Sequence, residues 1–205
     1  LKVRGGIGHT EGDLEGRVTT VEYDIAFIIN VYTPNSGAGL KRLAFRTGDW
    51  DESFAAYVRG LEKIKPVVVV GDLNVAHEDK DFYNPEQKRM RKLSGTTPEE
   101  RSSFARNLLG RDPPPCGDGD GLELVDTFRE MHRGATGVFS FWSVRAGNRP
   151  VNRGMRLDYC LASKTLANGD CGVVHDAFVL DRDTVGVSDH CPVGVVLRLG
   201  DHYPE

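Results

Sequence analysis

The sequence has few cysteines, and none of them is arranged to bind a metal. Its 205 residues contain four cysteines, at positions 116, 160, 171 and 191, and no two of these form the closely spaced pair that holds structural zinc. Cys160 lies in an apolar strand pattern and is expected in the core. The first residues also lack the apolar centre of a secretory signal. We therefore expect reduced thiols and a nuclear or cytoplasmic location, with a mitochondrial location also open.

Long hydrophobic runs and a large net charge are also missing. No apolar stretch approaches the roughly 20 residues of a membrane-spanning helix, so no membrane partner is expected. The net charge is −4, which excludes a uniformly basic surface. Basic residues are concentrated at 88–92 and 145–156, while several acids stand at strand ends. A phosphodiesterase that uses a divalent cation needs this division of charge, although residues 88–92 fit a solvated loop equally well.

The order of predicted elements indicates an α/β fold in a single domain. The predicted strands are 17–23, 25–32, 67–70, 139–142, 156–162, 172–180 and 193–199, and the predicted helices are 40–65, one that begins after Thr97, and 124–131. Thr97-Pro98-Glu99-Glu100 has the form of a helix capping box. Gly48 is a candidate bend in the first helix, and Pro66 ends it. Residues of about 111–121, rich in Pro, Gly and Asp, predict an exposed loop.

An acid and an amide follow the valine strand 67–70. Asp72 and Asn74 are two residues apart, so in an extended chain they project to the same side. There they could handle a proton and hydrogen-bond a phosphoryl oxygen. The alternative is an Asx turn that closes the strand.

Asp158, Asp189 and His190 form a second candidate group. Asp158 lies inside a strand, where a carboxylate is costly unless it is paired. His190 is the expected partner, because an Asp–His pair fixes the imidazole tautomer and raises its basicity. The alternative is a buried ion pair of Asp158 with Arg156 or with another basic residue. Asp189 and His190 are adjacent and diverge, so they could face a metal and a phosphate, or could form a solvated turn.

Six motifs occur in order along almost the whole chain. They are Val31-Tyr32-Thr33-Pro34-Asn35-Ser36-Gly37, Gly71-Asp72-Leu73-Asn74-Val75-Ala76-His77, Asp126-Thr127-Phe128-Arg129, Phe141-Trp142-Ser143, residues 152–163 and Ser188-Asp189-His190-Cys191-Pro192. The short patterns Gly-Asp-x-Asn and Ser-Asp-His are weak signals alone, because the wider superfamily of DNase I-like phosphoesterases shares them, whereas the full set in this order is specific. On these motifs the chain resembles the exonuclease III-like apurinic/apyrimidinic (AP) endonucleases of base-excision repair.

The resemblance implies a DNase I-like, four-layered α/β sandwich with two packed β-sheets flanked by helices. It implies Mg²⁺-dependent hydrolysis of the phosphodiester 5′ to an abasic site, with Mn²⁺ as a substitute cofactor. The implied partner is duplex DNA that contains abasic sites, and a monomer is expected. Residues 1–199 are expected to form the C-terminal portion of one domain, followed by a tail at 200–205.

The resemblance also implies roles for individual residues. The implied catalytic residues are Tyr32, Asp72, Asn74, Asp158 and His190. Asp158 orients His190, which assists the attack of water or holds the phosphate. Asp72 activates the water or protonates the leaving oxygen, and Tyr32 and Asn74 contact the phosphate.

Metal contacts, DNA contacts and a pocket follow from the same resemblance. The implied metal contacts are Asp72, Asn74, Asp189 and His190. The expected DNA contacts are Asn35, Lys88, Arg89, Arg91, Lys92, Arg145 and Arg156. Phe141, Met155 and Leu157 match the small apolar pocket for an extruded baseless sugar, which excludes a normal nucleotide by size.

One family feature has no counterpart in the sequence. Family members carry a principal metal-ligating Glu on strands that precede the matched part. We therefore expect the chain to be the later part of an enzyme domain, and the isolated residues 1–205 to be impaired or inactive, with exposed sheet edges. Two other functions stay open. One is a different DNase I-like phosphoesterase, acting on a lipid, an inositol phosphate or RNA, and the other is a non-catalytic nucleic-acid-binding fragment.

Overall fold

The computed structural model describes residues 1–111, 122–169 and 172–199. Its strands are β1 Lys2–Gly5, β2 Val18–Glu22, β3 Phe27–Tyr32, β4 Val67–Asp72, β5 Leu124–Asp126, β6 Asp158–Ser163, β7 Asn168–Gly169, β8 Gly172–Val179 and β9 Val193–Leu199. Its α-helices are α1 Thr10–Leu14, α2 Leu43–Phe45, α3 Asp51–Glu62, α4 Pro98–Leu108, α5 Thr127–Met131 and α6 Lys164–Ala167. The predicted loop, apart from residue 111, and the predicted tail at 200–205 lie outside the described residues.

The strands form two sheets. The larger has six strands in the order β1-β2-β3-β4-β6-β5, and the smaller has three in the order β7-β8-β9. Strand β4 lies at the centre of the larger sheet, parallel to β3 and antiparallel to β6. Its first three valines are buried, as expected for a strand that is covered on both faces. The predicted α/β class with two packed sheets is confirmed.

The two faces of the larger sheet contribute to different cores. Ile29 and Val69 pack in one apolar cluster with Phe54 of α3 and Phe104 of α4. Val68, one residue along the same strand as Val69, belongs to a second cluster that includes residues of β8 and β9. This alternation follows from the two-residue period of a strand. Cys160 is buried, as predicted.

The start of α4 matches its sequence signal. The Thr97 hydroxyl accepts a hydrogen bond from the Glu100 amide, and the Glu100 carboxylate accepts one from the Thr97 amide, both at 3.2 Å. The same carboxylate accepts hydrogen bonds from the Ser36 hydroxyl and the Gly95 amide. The capping box therefore also fixes the loop after β3.

Three sequence predictions of local structure are corrected, and one strand was missed. The helix predicted over 40–65 is interrupted by a π-helical turn at Arg46–Trp50. Residues 124–131 begin as strand β5, because residues 124–126 pair with β6 before α5 starts. Residues 139–142 form only isolated bridges through Phe141. Strand β1 was not predicted, because all four of its residues are exposed and give no apolar alternation.

Among the described residues, no helix has the length and apolar character to cross a membrane.

Candidate active site

Three of the predicted catalytic residues lie in one row across the larger sheet. Tyr32 on β3 is the register partner of Asp72 on β4, and Asp72 is the register partner of Asp158 on β6. Neighbouring strands are about 4.8 Å apart, so these side chains share one end of the sheet. Register, rather than separation along the sequence, brings the three together.

His190 joins this row through Asp158. Its Nδ1 lies 2.8 Å from Oδ2 of Asp158, so the predicted Asp–His pair is present. A backbone bridge links His190 to Phe141, and the amide of Trp142 donates a hydrogen bond to the Asp189 carbonyl at 2.9 Å. The pair therefore connects β6 to a loop whose main chain is itself anchored.

Asp158 raises the pKa of His190. Burial disfavours the charged imidazole, but the hydrogen bond to Asp158 and the negative charges of Asp158 and Asp72 outweigh it, so the pKa lies above its usual value. Because Nδ1 faces Asp158, Nε2 is the nitrogen left to face a substrate. An imidazolium held in this way can donate a hydrogen bond to a phosphoryl oxygen.

Asp72 is the second group with a shifted pKa. Burial, followed by the neighbouring charge of Asp158, raises its pKa to about 6, even though it accepts a hydrogen bond from the Asn74 amide. A carboxyl with this pKa exchanges its proton close to neutral pH, which suits a general acid or base. This shift supports the predicted role of Asp72, which stays a prediction.

Asn74 is held by both ends of its side chain. Its Nδ2 donates to the Thr33 carbonyl at 2.9 Å, and its Oδ1 accepts from Asn35 Nδ2 at 2.8 Å. Its backbone has a φ of 48°, a left-handed conformation that Asn tolerates better than most residues. Asn35 in turn accepts hydrogen bonds from Gly37 and Ser94. In the described contacts, Asn35 supports Asn74, and its predicted contact with DNA stays a prediction.

Tyr32, the predicted phosphate contact, is the register partner of Asp72, and Phe141, one of the predicted pocket residues, lies beside His190. Phe141, Met155 and Leu157 belong to one apolar cluster, and the Phe141 ring lies 5.0 Å from the His190 ring. Tyr32 is 53% exposed, with the Arg17 guanidinium 5.0 Å from its ring centroid. Of the three pocket residues, Phe141 contacts His190 directly, and Tyr32 is open to solvent.

Sequence reasoning missed Ser140. Its buried hydroxyl accepts hydrogen bonds from the amides of Leu157 at 2.9 Å and Asp158 at 3.0 Å. It therefore fixes the chain where the pocket meets the Asp–His pair. A serine between two phenylalanines gives no sequence signal for such a role.

Comparison with known proteins decides the family. The profile of the endonuclease/exonuclease/phosphatase family matches residues 2–190. The chain belongs to this family. A DNA-(apurinic or apyrimidinic site) endonuclease of Dictyostelium discoideum is 43% identical over 195 residues, which are 95% of this chain and 49% of that protein. An exodeoxyribonuclease of Bacillus subtilis (strain 168) is 39% identical over 199 residues, 97% of this chain and 71% of that protein.

A solved structure from the same family agrees. The crystal structure of the AP endonuclease LMAP from Leishmania major matches with a TM-score of 0.75 and 33% identity, over 94% of this chain and 60% of that one. The chain thus spans about half the length of the Dictyostelium relative and less than two thirds of the Leishmania protein.

The family resemblance implies a metal, and the described residues fit only part of its site. They contain no group of three or more His, Cys, Asp or Glu side chains placed to hold an ion. Mg²⁺ prefers oxygen ligands. The Nδ1 of His190 already faces Asp158, which leaves only Nε2 for its predicted metal contact, and that contact stays a prediction. Asp72, Asn74 and Asp189 would offer oxygen ligands, and their predicted metal contacts also stay predictions. The negative charge of Asp158 contributes to the raised pKa of Asp72. A bound cation would offset that charge.

Most of the predicted DNA contacts are on the surface. Lys88, Arg89, Lys92 and Arg145 are exposed, so their assignment stays a prediction. Arg91 is half-buried and pairs with Asp79 at 2.8 Å.

Arg156 cannot contact DNA in this structure. It is 1% exposed, and its guanidinium forms two hydrogen bonds with Asp81 and two with Asp126. The basic character of residues 145–156 led to the wrong assignment, because charge alone does not distinguish a surface arginine from one buried among carboxylates. The same contacts exclude the alternative ion pair with Asp158. Arg156 is a structural residue that anchors the start of β6.

We expect the Arg156→Ala variant to lose about 3–5 kcal/mol of unfolding free energy, because the two buried carboxylates of Asp81 and Asp126 then have only the guanidinium of Arg129, paired with Asp81, to offset their charge. Denaturant unfolding measures this loss. The matched control is Arg153→Ala, at an exposed position three residues earlier, which should change stability by less than about 0.5 kcal/mol. Equal effects of the two substitutions would contradict the structural role of Arg156.

Proposed function

We propose that the chain carries the phosphodiester-cleaving site of a DNA-repair AP endonuclease, which hydrolyses the bond 5′ to an abasic site. The observation that carries the proposal is the Asp158–His190 pair, with its 2.8 Å contact, beside Asp72 at the end of adjacent strands. It occurs in a chain that is 43% identical to an enzyme named for this activity.

His190, Tyr32 and Asp72 each have a different part in the proposed reaction. The Nε2 of His190 and the hydroxyl of Tyr32 donate hydrogen bonds to the phosphoryl oxygens, which gain charge as water attacks. Asp72 moves a proton, either from the attacking water or to the leaving oxygen. A bound Mg²⁺, or Mn²⁺ in its place, would supply further charge stabilisation, with Asp72, Asn74 and Asp189 as its oxygen contacts from this chain.

The substrate part of the proposal rests on the apolar cluster and the exposed cations. Phe141, Met155 and Leu157 next to His190 would accept a sugar without a base, and a normal base would not fit. The exposed Lys88, Arg89, Lys92 and Arg145 would contact phosphates on duplex DNA. We also propose a monomer in a reducing compartment, in keeping with Cys160 and Cys191, which are buried free thiols.

The test is a nicking assay with the full-length protein. We expect it to cut duplex DNA that holds an abasic analogue in Mg²⁺, to stop in EDTA, and to leave an intact duplex of the same sequence much less cut. Equal cleavage of both duplexes would reject the repair assignment. Preferential hydrolysis of an inositol phosphate or an RNA end would favour another phosphoesterase of the same family.

A further inference from the structure

Arg46 is a buried arginine that none of the roles above explains. It is 1% exposed and lies at the start of the π-helical turn between α2 and α3. Its Nη1 donates to the carbonyls of Pro34 at 3.1 Å and Asn74 at 3.2 Å, and its Nη2 donates to the carbonyl of Leu73 at 2.7 Å. Its Nε donates to Asp51 Oδ1 at 3.0 Å. Four of its five N–H donors are therefore engaged.

The three carbonyls belong to the two loops that carry predicted catalytic residues. One loop follows Tyr32 at the end of β3, and the other follows Asp72 at the end of β4. The loops also meet directly, because the Thr33 amide donates to the Asp72 carbonyl at 2.9 Å and Asn74 bonds to the Thr33 carbonyl. Arg46 thus binds both loops from the interior side, where no substrate can reach.

The π-helical turn places Arg46 for this task. Residues five apart on an α-helix differ by about 140° around its axis, so their side chains lie on different faces. Here the Asp51 amide donates to the Arg46 carbonyl, which brings the two residues into line and lets their side chains pair. Asp51 Oδ2 in turn accepts a hydrogen bond from Ser103 of α4 at 2.7 Å. Single π-helical turns within helices often occur at functional sites.

We propose that Arg46 is a positioning residue for the cleavage site, one that holds the loops after β3 and β4 in the relative placement that catalysis requires. The expected change in the cleavage rate rests on the proposed function. The expected change in the two loops rests on the hydrogen bonds alone. The guanidinium is needed for its shape. A lysine keeps the charge, but its single nitrogen cannot bridge carbonyls on two loops and a carboxylate behind them.

The test is the Arg46→Lys substitution in the full-length protein, read in two ways. Hydrogen exchange should become faster at the amides of Thr33 and Asn74, whose hydrogen bonds to Asp72 join and shape the two loops. With an abasic-analogue duplex, kcat should fall by about tenfold or more while KM changes little, because misplaced groups cost mainly transition-state stabilisation. Asp51→Asn weakens the hydrogen bond from Arg46 Nε to the Asp51 side chain. It should therefore change hydrogen exchange and kcat in the same direction, but by less.

Ser163→Ala is the matched control. Its hydroxyl accepts a hydrogen bond from the Val67 amide at 2.9 Å, at the opposite end of β4, so its loss should lower the melting temperature and leave kcat near the wild-type value. If Arg46→Lys and Asp51→Asn leave both exchange and kcat unchanged in an active protein, the inference is overturned. If the wild-type protein cuts no abasic duplex, the proposed function fails, and the exchange data alone decide the role of Arg46.

Discussion

Replacing His190 by alanine should lower the rate of abasic-site cleavage by roughly 10²–10⁴-fold, the range typical of a group that handles a proton or a developing charge. The hydrogen bond to Asp158 and the nearby carboxylates raise the pKa of the imidazole, and its loss removes a hydrogen-bond donor from the phosphate. Asp158→Ala should have a similar effect, because Asp158 sets both the orientation and the pKa of the ring. Single-turnover assays with the full-length protein measure both.

Two further variants test whether the loss is specific to the Asp–His pair. His175→Ala changes an exposed histidine on β8 and should leave activity unchanged. The double variant lacking both His190 and Asp158 should be hardly slower than the slower single variant, because residues that act as a unit are not additive. A loss of less than about tenfold in His190→Ala would remove it from the catalytic set.

Asp72→Asn should abolish most activity and at the same time stabilise the fold. The loss of activity should again be about 10²–10⁴-fold, because an amide cannot transfer the proton. The gain in stability follows from the pKa of about 6. Ionised Asp72 is disfavoured in the folded state by at most about 3 kcal/mol relative to the unfolded chain, and the amide does not carry that cost.

The sign of the pH dependence is fixed by this shift. Between about pH 4 and pH 6 the folded state binds more protons at Asp72 than the unfolded state, so the contribution of Asp72 to stability falls as the pH rises through this window. Thermal unfolding should therefore show Asp72→Asn above the wild type at pH 7.5 and equal to it near pH 4. Asp183→Asn, at an exposed position, should show no such difference. A destabilised Asp72→Asn at pH 7.5 would contradict the buried, charge-repelled environment of Asp72.

The sequence was sufficient where the signal is local. Strand β4 was predicted from its run of valines, and the start of α4 from four consecutive residues. The Asp158–His190 pair was predicted because a carboxylate inside a strand needs a partner. In each case the physical requirement can be read from the residues themselves.

The rest of the site depends on contacts between distant segments. Arg46 lies in what reads as an ordinary amphipathic helix, and only the fold brings it to the carbonyls of two loops. Arg156 was misassigned because its partners Asp81 and Asp126 are 75 and 30 residues away. Ser140 was missed for the same reason, since the two amides that it binds belong to a separate segment. Sequence patterns report what a side chain needs, but not which remote group meets the need.

The most direct measurement is a crystal structure of the full-length protein with a duplex that holds an abasic analogue. We expect one phosphate group to have oxygens within about 3.2 Å of both Tyr32 Oη and His190 Nε2, and the Asp72 carboxylate to face the same phosphorus. A duplex bound in this way would place the ends of three strands around one reacting centre. A scissile phosphate bound on another surface, out of reach of these side chains, would contradict the proposed cleavage site.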